Sequence, residues 1–471
     1  MSFAAASSSD ASAVPATSAS SSSPVSSAPL ASSGSTGRVL IIGGGIAGCT
    51  LALFLARAGI DAEVFEAYPE FCSVVGGVLL GPNGMRVLES LGLSSALLPR
   101  STVFSTLQIK DASGNTLGST ATASKDRYGI EGVACSRLAI HGVLHEGMRA
   151  RGLHIRYGKR LVNIVQNEES VKATFEDGST AEGCMLVGAD GLHSRTRNLI
   201  FPDGAQPQHL GLMSIGGSVH EDAVPPSLRS SLPAPGTMAL SIGARSFLGV
   251  SLFGLHPVDS RSLFGFWTAV PQPLLKREEL AALSDKDVHD RLRAVFSESE
   301  GWSAPTRALI DLACSASAPD PPSRVQLFDV PDLPAWSRGR AVIIGDAAHA
   351  MSPNSGQGVS QAMEDAMSLA VYINRRKHEL QQLHAVRAVC TEFEHHRKPR
   401  SEKLKRAIRE KDAAIVASHA TAPRPGSWAL WGRDWFIRAV LRWNQGVLPW
   451  SRSTLPYEEE FSYKCPGFDE I

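Results

Sequence analysis

Apolar positions along the chain gather into three runs that read as strands, each followed by small or polar residues. The first opens the stretch RVLIIGGGIAGCTLALFLARAG, residues 38–59. Val39-Leu40-Ile41-Ile42 is a β-branched run, as expected of a strand buried on both faces. Glycines interrupt it, Cys49 to Ala58 then reads as a helix closed by Gly59, and Ile60 to Glu66 predicts a second strand ending on an acid. The second run, MLVGADGLHSRTR (185–197), is a strand ending in Asp190-Gly191 with basic residues behind it. The third, RAVIIGDAAHAMSPNSGQGVSQAMEDA (340–366), is a strand, an acid, a loop of small residues and a helix.

The first stretch is almost long enough to cross a bilayer. Its glycines would fall mid-span, however, and no aromatic or basic belt flanks it, so a strand, turn and helix fit better. Further along, residues 237–255 and 261–270 predict strands apolar on both faces, with Phe264 and Phe266 on one side and Leu263 and Trp267 on the other. Such a sheet either lines a pocket with one face or lies between helices, and the pattern leaves both open. Residues 393–412, FEHHRKPRSEKLKRAIREKD, predict a basic helix with an exposed charged face. Trp428, Trp431, Trp435 and Trp443 recur at near-helical spacing with Arg433, Arg438 and Arg442 between them. A cover packed on the rest of the protein is preferred there to a helix lying on a membrane surface.

The chain's 471 residues exceed one simple core. Lys plus Arg equals Asp plus Glu, 46 each, so nothing points to nucleic acid. Seven scattered cysteines, none spaced CxxC, fit a reducing, cytoplasmic setting and argue against disulfides or a cysteine-paired zinc site. No metal site is expected. Residues 1–37, with fifteen serines and no Lys or Arg, predict a disordered tail. A plastid-type address is the one targeting signal this composition leaves open.

Gly43-Gly44-Gly45-Ile46-Ala47-Gly48 fits G-x-G-x-x-G between strand and helix. Gly43 permits the tight turn, Gly45 lets the backbone approach a pyrophosphate, and Gly48 lets helix and strand pack closely. The helix start offers free N–H groups and positive potential to phosphates. Glu66, 18 residues past Gly48, stands where a ribose-binding acid belongs.

The three runs together, in this order and spacing, resemble the single-component FAD-dependent aromatic hydroxylase and epoxidase family of para-hydroxybenzoate hydroxylase, salicylate hydroxylase and zeaxanthin epoxidase. The resemblance covers about residues 38–400. It implies that Asp346 binds the ribityl chain of FAD. It puts the backbone of Gly356, Gln357, Gly358 and Val359 toward the flavin ring, with Pro353 against it. Asp190 and Gly191 become the motif shared by FAD and NAD(P)H. Arg137 becomes the helix-starting arginine that reaches the cofactor, with a backbone contact from Gly77 or its neighbour Gly76. His349, in the same loop, reads as a structural polar residue rather than a general base. At Ile215–His220 no arginine stands where fungal relatives steer phenols.

The expected architecture is α/β: a Rossmann-like FAD-binding domain from 38–200 and 321–400, an antiparallel substrate sheet from 201–320, and a helical, Trp-rich extension from 401–471. The implied reaction is NAD(P)H- and O2-dependent hydroxylation or epoxidation of an apolar, electron-rich small molecule, of the fungal secondary-metabolite kind. With only one full G-x-G-x-x-G, NAD(P)H is expected to bind transiently. An FAD oxidase or dehydrogenase, or a flavin-free binding protein of the same fold, are the rivals.

Overall fold

β1 (Val39–Ile42) is buried throughout, and α1 (Ile46–Arg57) and β2 (Ala62–Phe65) complete the first β-α-β unit. In this computed structural model the described residues are 37–72, 76–204, 206–256, 259–315, 318–421, 423, 425–444, 458–467 and 470. They form one compact unit. Of the expected Ser-rich tail only Gly37 is among them.

β3 (Gly77–Leu80) and α2 (Pro82–Ser90) are followed by β4 (Ser101–Phe104) and the hairpin β5 (Thr106–Asp111) and β6 (Thr116–Ala121). β7 (Gly132–Ser136) runs into α3 (Arg137–Ala150) and β8 (Ile155–Arg156). A meander of β9 (Leu161–Gln166), β10 (Val171–Phe175) and β11 (Thr180–Gly183) leads to β12 (Met185–Gly188) and α4 (Arg195–Ile200). Next come β13 (Gln208–His220), β14 (Thr237–Ile242), β15 (Phe247–Leu255) and β16 (Ser262–Pro271), then α5 (Asp285–Val295) and α6 (Ala304–Ala313). β17 (Ser323–Asp329), β18 (Ser337–Arg338) and β19 (Ala341–Ile343) precede α7 (Asp346–His349), α8 (Gly358–Arg375), α9 (Leu383–Thr421) and α10 (Trp428–Asn444).

The nucleotide-type sheet has the order β18-β19-β12-β1-β2-β8, parallel except for β18 at its edge. Ile42 pairs with Gly188, and Gly188 with Ile343, so the carboxyl ends of β1, β12 and β19 lie in one row. All three apolar runs of the sequence therefore end at the same edge. The opening stretch is the core of this domain, and no described helix is long and apolar enough to cross a membrane.

The second sheet has seven strands, β17-β13-β16-β15-β14-β5-β6. It reaches beyond residues 201–320 at both edges. β5 pairs parallel with β14, and β17 pairs antiparallel with β13. Phe264 and Phe266 bury one face against α5 and α6, in a core with Leu292, Leu309 and Ile310. On the other face Phe253 and Trp267 meet edge-on, 6.0 Å between ring centroids, beside Leu79 of β3.

Two expectations for the carboxyl-terminal part need correction. α9 runs unbroken from 383 to 421, across the boundary expected at 400. The basic stretch within it is not simply a solvated face. Arg397 is 0% and Lys405 1% exposed, because both sit among carboxylates and carbonyls. α10 packs on the second sheet through Leu441, over Gly118 of β6, and through Arg433, which donates to the Ile242 and Gly243 carbonyls. Trp428, Trp431, Trp435 and Phe436 lie exposed on its outer side.

Candidate active site

The three strand ends put their following residues side by side. Gly43, after β1, has φ +110°, and a Cβ there would lie 2.4 Å from the Ala189 carbonyl oxygen. Glycine is therefore required both by conformation and by room. At Gly48 a Cβ would lie 1.9 Å from the Gly43 oxygen, so no larger residue fits between α1 and the loop. Gly45 differs: nothing lies within 4 Å of its Cβ position. It begins α1 with no side-chain cap, and the free N–H groups of the helix face open space.

Glu66 accepts hydrogen bonds from the N–H groups of Gly44 (2.8 Å) and Tyr68 (2.9 Å). The expected ribose-binding acid thus also braces the glycine loop. Arg137 begins α3, and its N–H donates to the Gly76 carbonyl. Its half-buried guanidinium has no partner among the described residues. Gly77 sits under the Phe253 ring, where a Cβ would come within 2.4 Å.

Asp190 turns back toward α4. It accepts from the Ser194 hydroxyl (2.5 Å) and from the Thr196 N–H (2.9 Å) and hydroxyl (3.0 Å). Burial pushes its carboxyl above the usual range, against the pull of those donors. Gly191 follows at φ +77°. Asp346 behaves differently. It is exposed in the first turn of α7, caps nothing, and its carboxylate has no hydrogen-bond partner among the described residues. An acid placed at a strand end with no protein partner is free to hold ligand hydroxyls.

Pro353 is exposed at the start of the loop before α8, and Gly356 has φ +64°. Gln357 precedes Gly358 and Val359, which open the 18-residue α8 without a side-chain cap. That end presents free N–H groups and the positive pole of a long helix. Most of the residues singled out in the sequence lie along one edge, formed by the ends of β1, β12 and β19 and the starts of α1, α3 and α8. Its open Cβ position at Gly45, its partnerless carboxylate at Asp346 and its uncapped helix starts fit a dinucleotide with a polyhydroxyl arm.

Sequence reasoning missed what holds this edge in shape. Behind the α8 loop, Asn83 donates to Gln357 (3.1 Å) and to Glu364 (2.7 Å). Arg397 from α9 pairs with Glu364 (2.5 Å) and Asp365 (2.8 Å), all three nearly unexposed. His349 Nε2 lies 2.5 Å from Asp365, which also accepts from the Gly345 N–H. Desolvation would raise the Asp365 carboxyl, but His349 and Arg397 hold it down at about 2. His349 is thereby placed in a buried hydrogen-bonded cluster around Asp365. The signal was present: two adjacent acids, Glu364-Asp365, inside an otherwise apolar helix must be buried and therefore paired. Arg197, also buried, donates to the carbonyls of Ala347 and Leu192 and so ties α7 to the Asp190-Gly191 turn.

A family model described as an FAD-binding domain matches residues 36–407. The chain belongs to that family. It is 31% identical over 336 residues to a 3-amino-4-hydroxybenzoate 2-monooxygenase of Streptomyces platensis, covering 71% of this chain and 78% of the relative. It is 30% identical to the 6-hydroxynicotinate 3-monooxygenase of Bordetella bronchiseptica, covering 70% and 81%. In fold it is similar to the crystal structure of Klebsiella pneumoniae HpxO with FAD and uric acid, at 24% identity and a TM-score of 0.68, covering 85% and 92%. This FAD-binding chain is an oxidoreductase of the flavin-dependent monooxygenase type.

Proposed function

We propose that this FAD protein uses NAD(P)H and O2 to hydroxylate an electron-rich aromatic ring, held against Leu79, Trp267 and Phe253. One contact carries the reading. A Cβ on Gly356, in the loop before α8, would touch Leu79 at 3.3 Å, and Leu79 packs beside Trp267 and Phe253. The loop expected to face the flavin therefore adjoins an apolar aromatic wall on the second sheet. Three relatives named for hydroxylating small aromatic rings support the ring as substrate.

The overall reaction balances as ring C–H plus O2, NAD(P)H and a proton giving ring C–OH, NAD(P)+ and water. FAD, when bound, supplies the hydride acceptance and oxygen activation. The chain's own part is binding, orientation and water exclusion. Glu66 and Asp346 would take ribose and ribityl hydroxyls, and the α1 amides the pyrophosphate. Arg137 would add positive charge beside the phosphates. The uncapped start of α8 favours negative charge on the reduced cofactor by roughly 0.3–1 kcal/mol. Phe253, Trp267 and Leu79 would keep water from the reacting carbon. No nucleophile is needed. NAD(P)H would visit the shared surface, and a role in secondary metabolism fits an apolar ring.

The test is purified, yellow holoprotein with NADPH or NADH, air and a panel of phenolic, indole and polyketide aromatics. Substrate-dependent NAD(P)H oxidation with a product one oxygen atom heavier is expected. Flavin reduction by substrate alone, without NAD(P)H and without air, would instead mark an oxidase or dehydrogenase.

A further inference from the structure

Beneath the first glycine loop three metal-ligating side chains converge. Cys49 lies on α1, and His141 and His145 lie one turn apart on α3. Their ligand atoms all lie within 4.8 Å of one another. Cys49 Sγ is 3.1 Å, and His141 Nε2 2.9 Å, from the same Gly44 carbonyl oxygen. Two donors saturate a carbonyl's two lone pairs. The third group is then surplus: His145 Nε2, also close to Gly44, is buried without a well-formed hydrogen bond. A brace for the loop explains Cys49 and His141 but not His145. Leaving an imidazole nitrogen buried and unpartnered is destabilising.

We propose that Cys49, His141 and His145 form a binding site for a borderline-to-soft transition-metal ion, zinc(II) being the best match, whose occupancy competes with the brace on Gly44. One thiolate and two imidazoles are the donor types zinc prefers, and a tetrahedral ion would leave its fourth position to water. Bringing ligands to about 2.0–2.3 Å from one ion requires only modest side-chain rotation from the present spacing. The Phe71 ring, half in solvent, lies 4.4 Å from His145 and 4.8 Å from His141 between ring centroids, and the half-buried His145 beside it marks the way in.

Binding has a cost for the loop. A metal-bound Nε2 or a thiolate no longer donates a hydrogen bond, so Gly44 loses both donors when the ion enters. The proton of Cys49 passes to solvent. The glycine loop loosens, and FAD leaves faster.

The experiment titrates zinc chloride into the yellow holoprotein by calorimetry, in two buffers of different ionisation enthalpy. Cadmium chloride, followed by ultraviolet difference absorption, reports the thiolate. One ion per chain, about one proton released, a thiolate–cadmium band and faster FAD release on zinc addition are expected. His145→Gln, which leaves the Gly44 brace intact, should keep the flavin spectrum and weaken zinc by at least about tenfold. Cys49→Ala should abolish the cadmium band. Absence of stoichiometric binding, or affinity unchanged in both variants, would overturn the site. Tight binding with FAD release unaltered would overturn its coupling to the loop.

Discussion

Two glycines three residues apart, Gly45 and Gly48, make opposite demands, and substitution should separate them. At Gly48 a methyl group would collide with the Gly43 carbonyl. Gly48→Ala should therefore damage folding itself, seen as lost soluble yield or a lowered melting temperature. At Gly45 the space is open and the backbone is extended, so Gly45→Ala should fold with an unchanged melting temperature in the absence of cofactor. It should still bind FAD at least about tenfold more weakly, because the methyl keeps phosphate from charge-assisted bonds worth about 1.5–3 kcal/mol. Asp346 is the complementary case. Having no protein partner, its loss in Asp346→Ala should leave stability unchanged while raising the dissociation constant for FAD about ten- to a hundredfold, measured by flavin fluorescence. The places of both residues in the fold were legible in the sequence, since a turn glycine and a strand-end acid are set by their immediate neighbours.

Among the elements, α8 and α9 carry the largest buried charge. Arg397 faces Glu364 and Asp365 in a region closed to water. Arg397→Met would remove the cation shared by both carboxylates, leaving Glu364 to Arg400 and Asp365 to His349, at a cost of up to about 3–5 kcal/mol in denaturant unfolding. It should also slacken the α8 loop, since Glu364 holds Asn83 and Asn83 holds Gln357. The pH response follows from Asp365. Its folded pKa, about 2, lies below the unfolded value, so its stabilisation is complete above about pH 4 and is lost as pH falls toward about 2. Denaturation midpoints across that window should fall in the wild type and fall less in Arg397→Met. The helices themselves were foreseen from periodicity. Which of their charges were buried was not, because that depends on two helices meeting from positions over thirty residues apart.

For the whole molecule, the second sheet matters most. Its strands come from residues 106–121, 208–271 and 323–329, and they bring Trp267 and Phe253 to Leu79 and through it to the α8 loop. Trp267→Leu keeps an apolar side chain but removes the flat surface and much of the volume, and should raise the KM for an aromatic substrate and the share of NAD(P)H spent on hydrogen peroxide. The flavin spectrum should not change. A parallel fall in FAD content would instead show that Trp267 supports the fold.

By itself the sequence determined the β-α-β start and the three strand-end motifs, and through their resemblance to a known family the FAD cofactor. Each is encoded within about thirty consecutive residues, where strand period, glycine turn and helix start leave one arrangement. Only the tertiary structure decided that β5 and β6 would extend the second sheet, that Arg397 would be buried, and that Cys49 would meet His141 and His145. Those outcomes depend on contacts between segments far apart in the chain. Such contacts are selected by packing and by the pairing of buried polar groups, and no local pattern of residues records them.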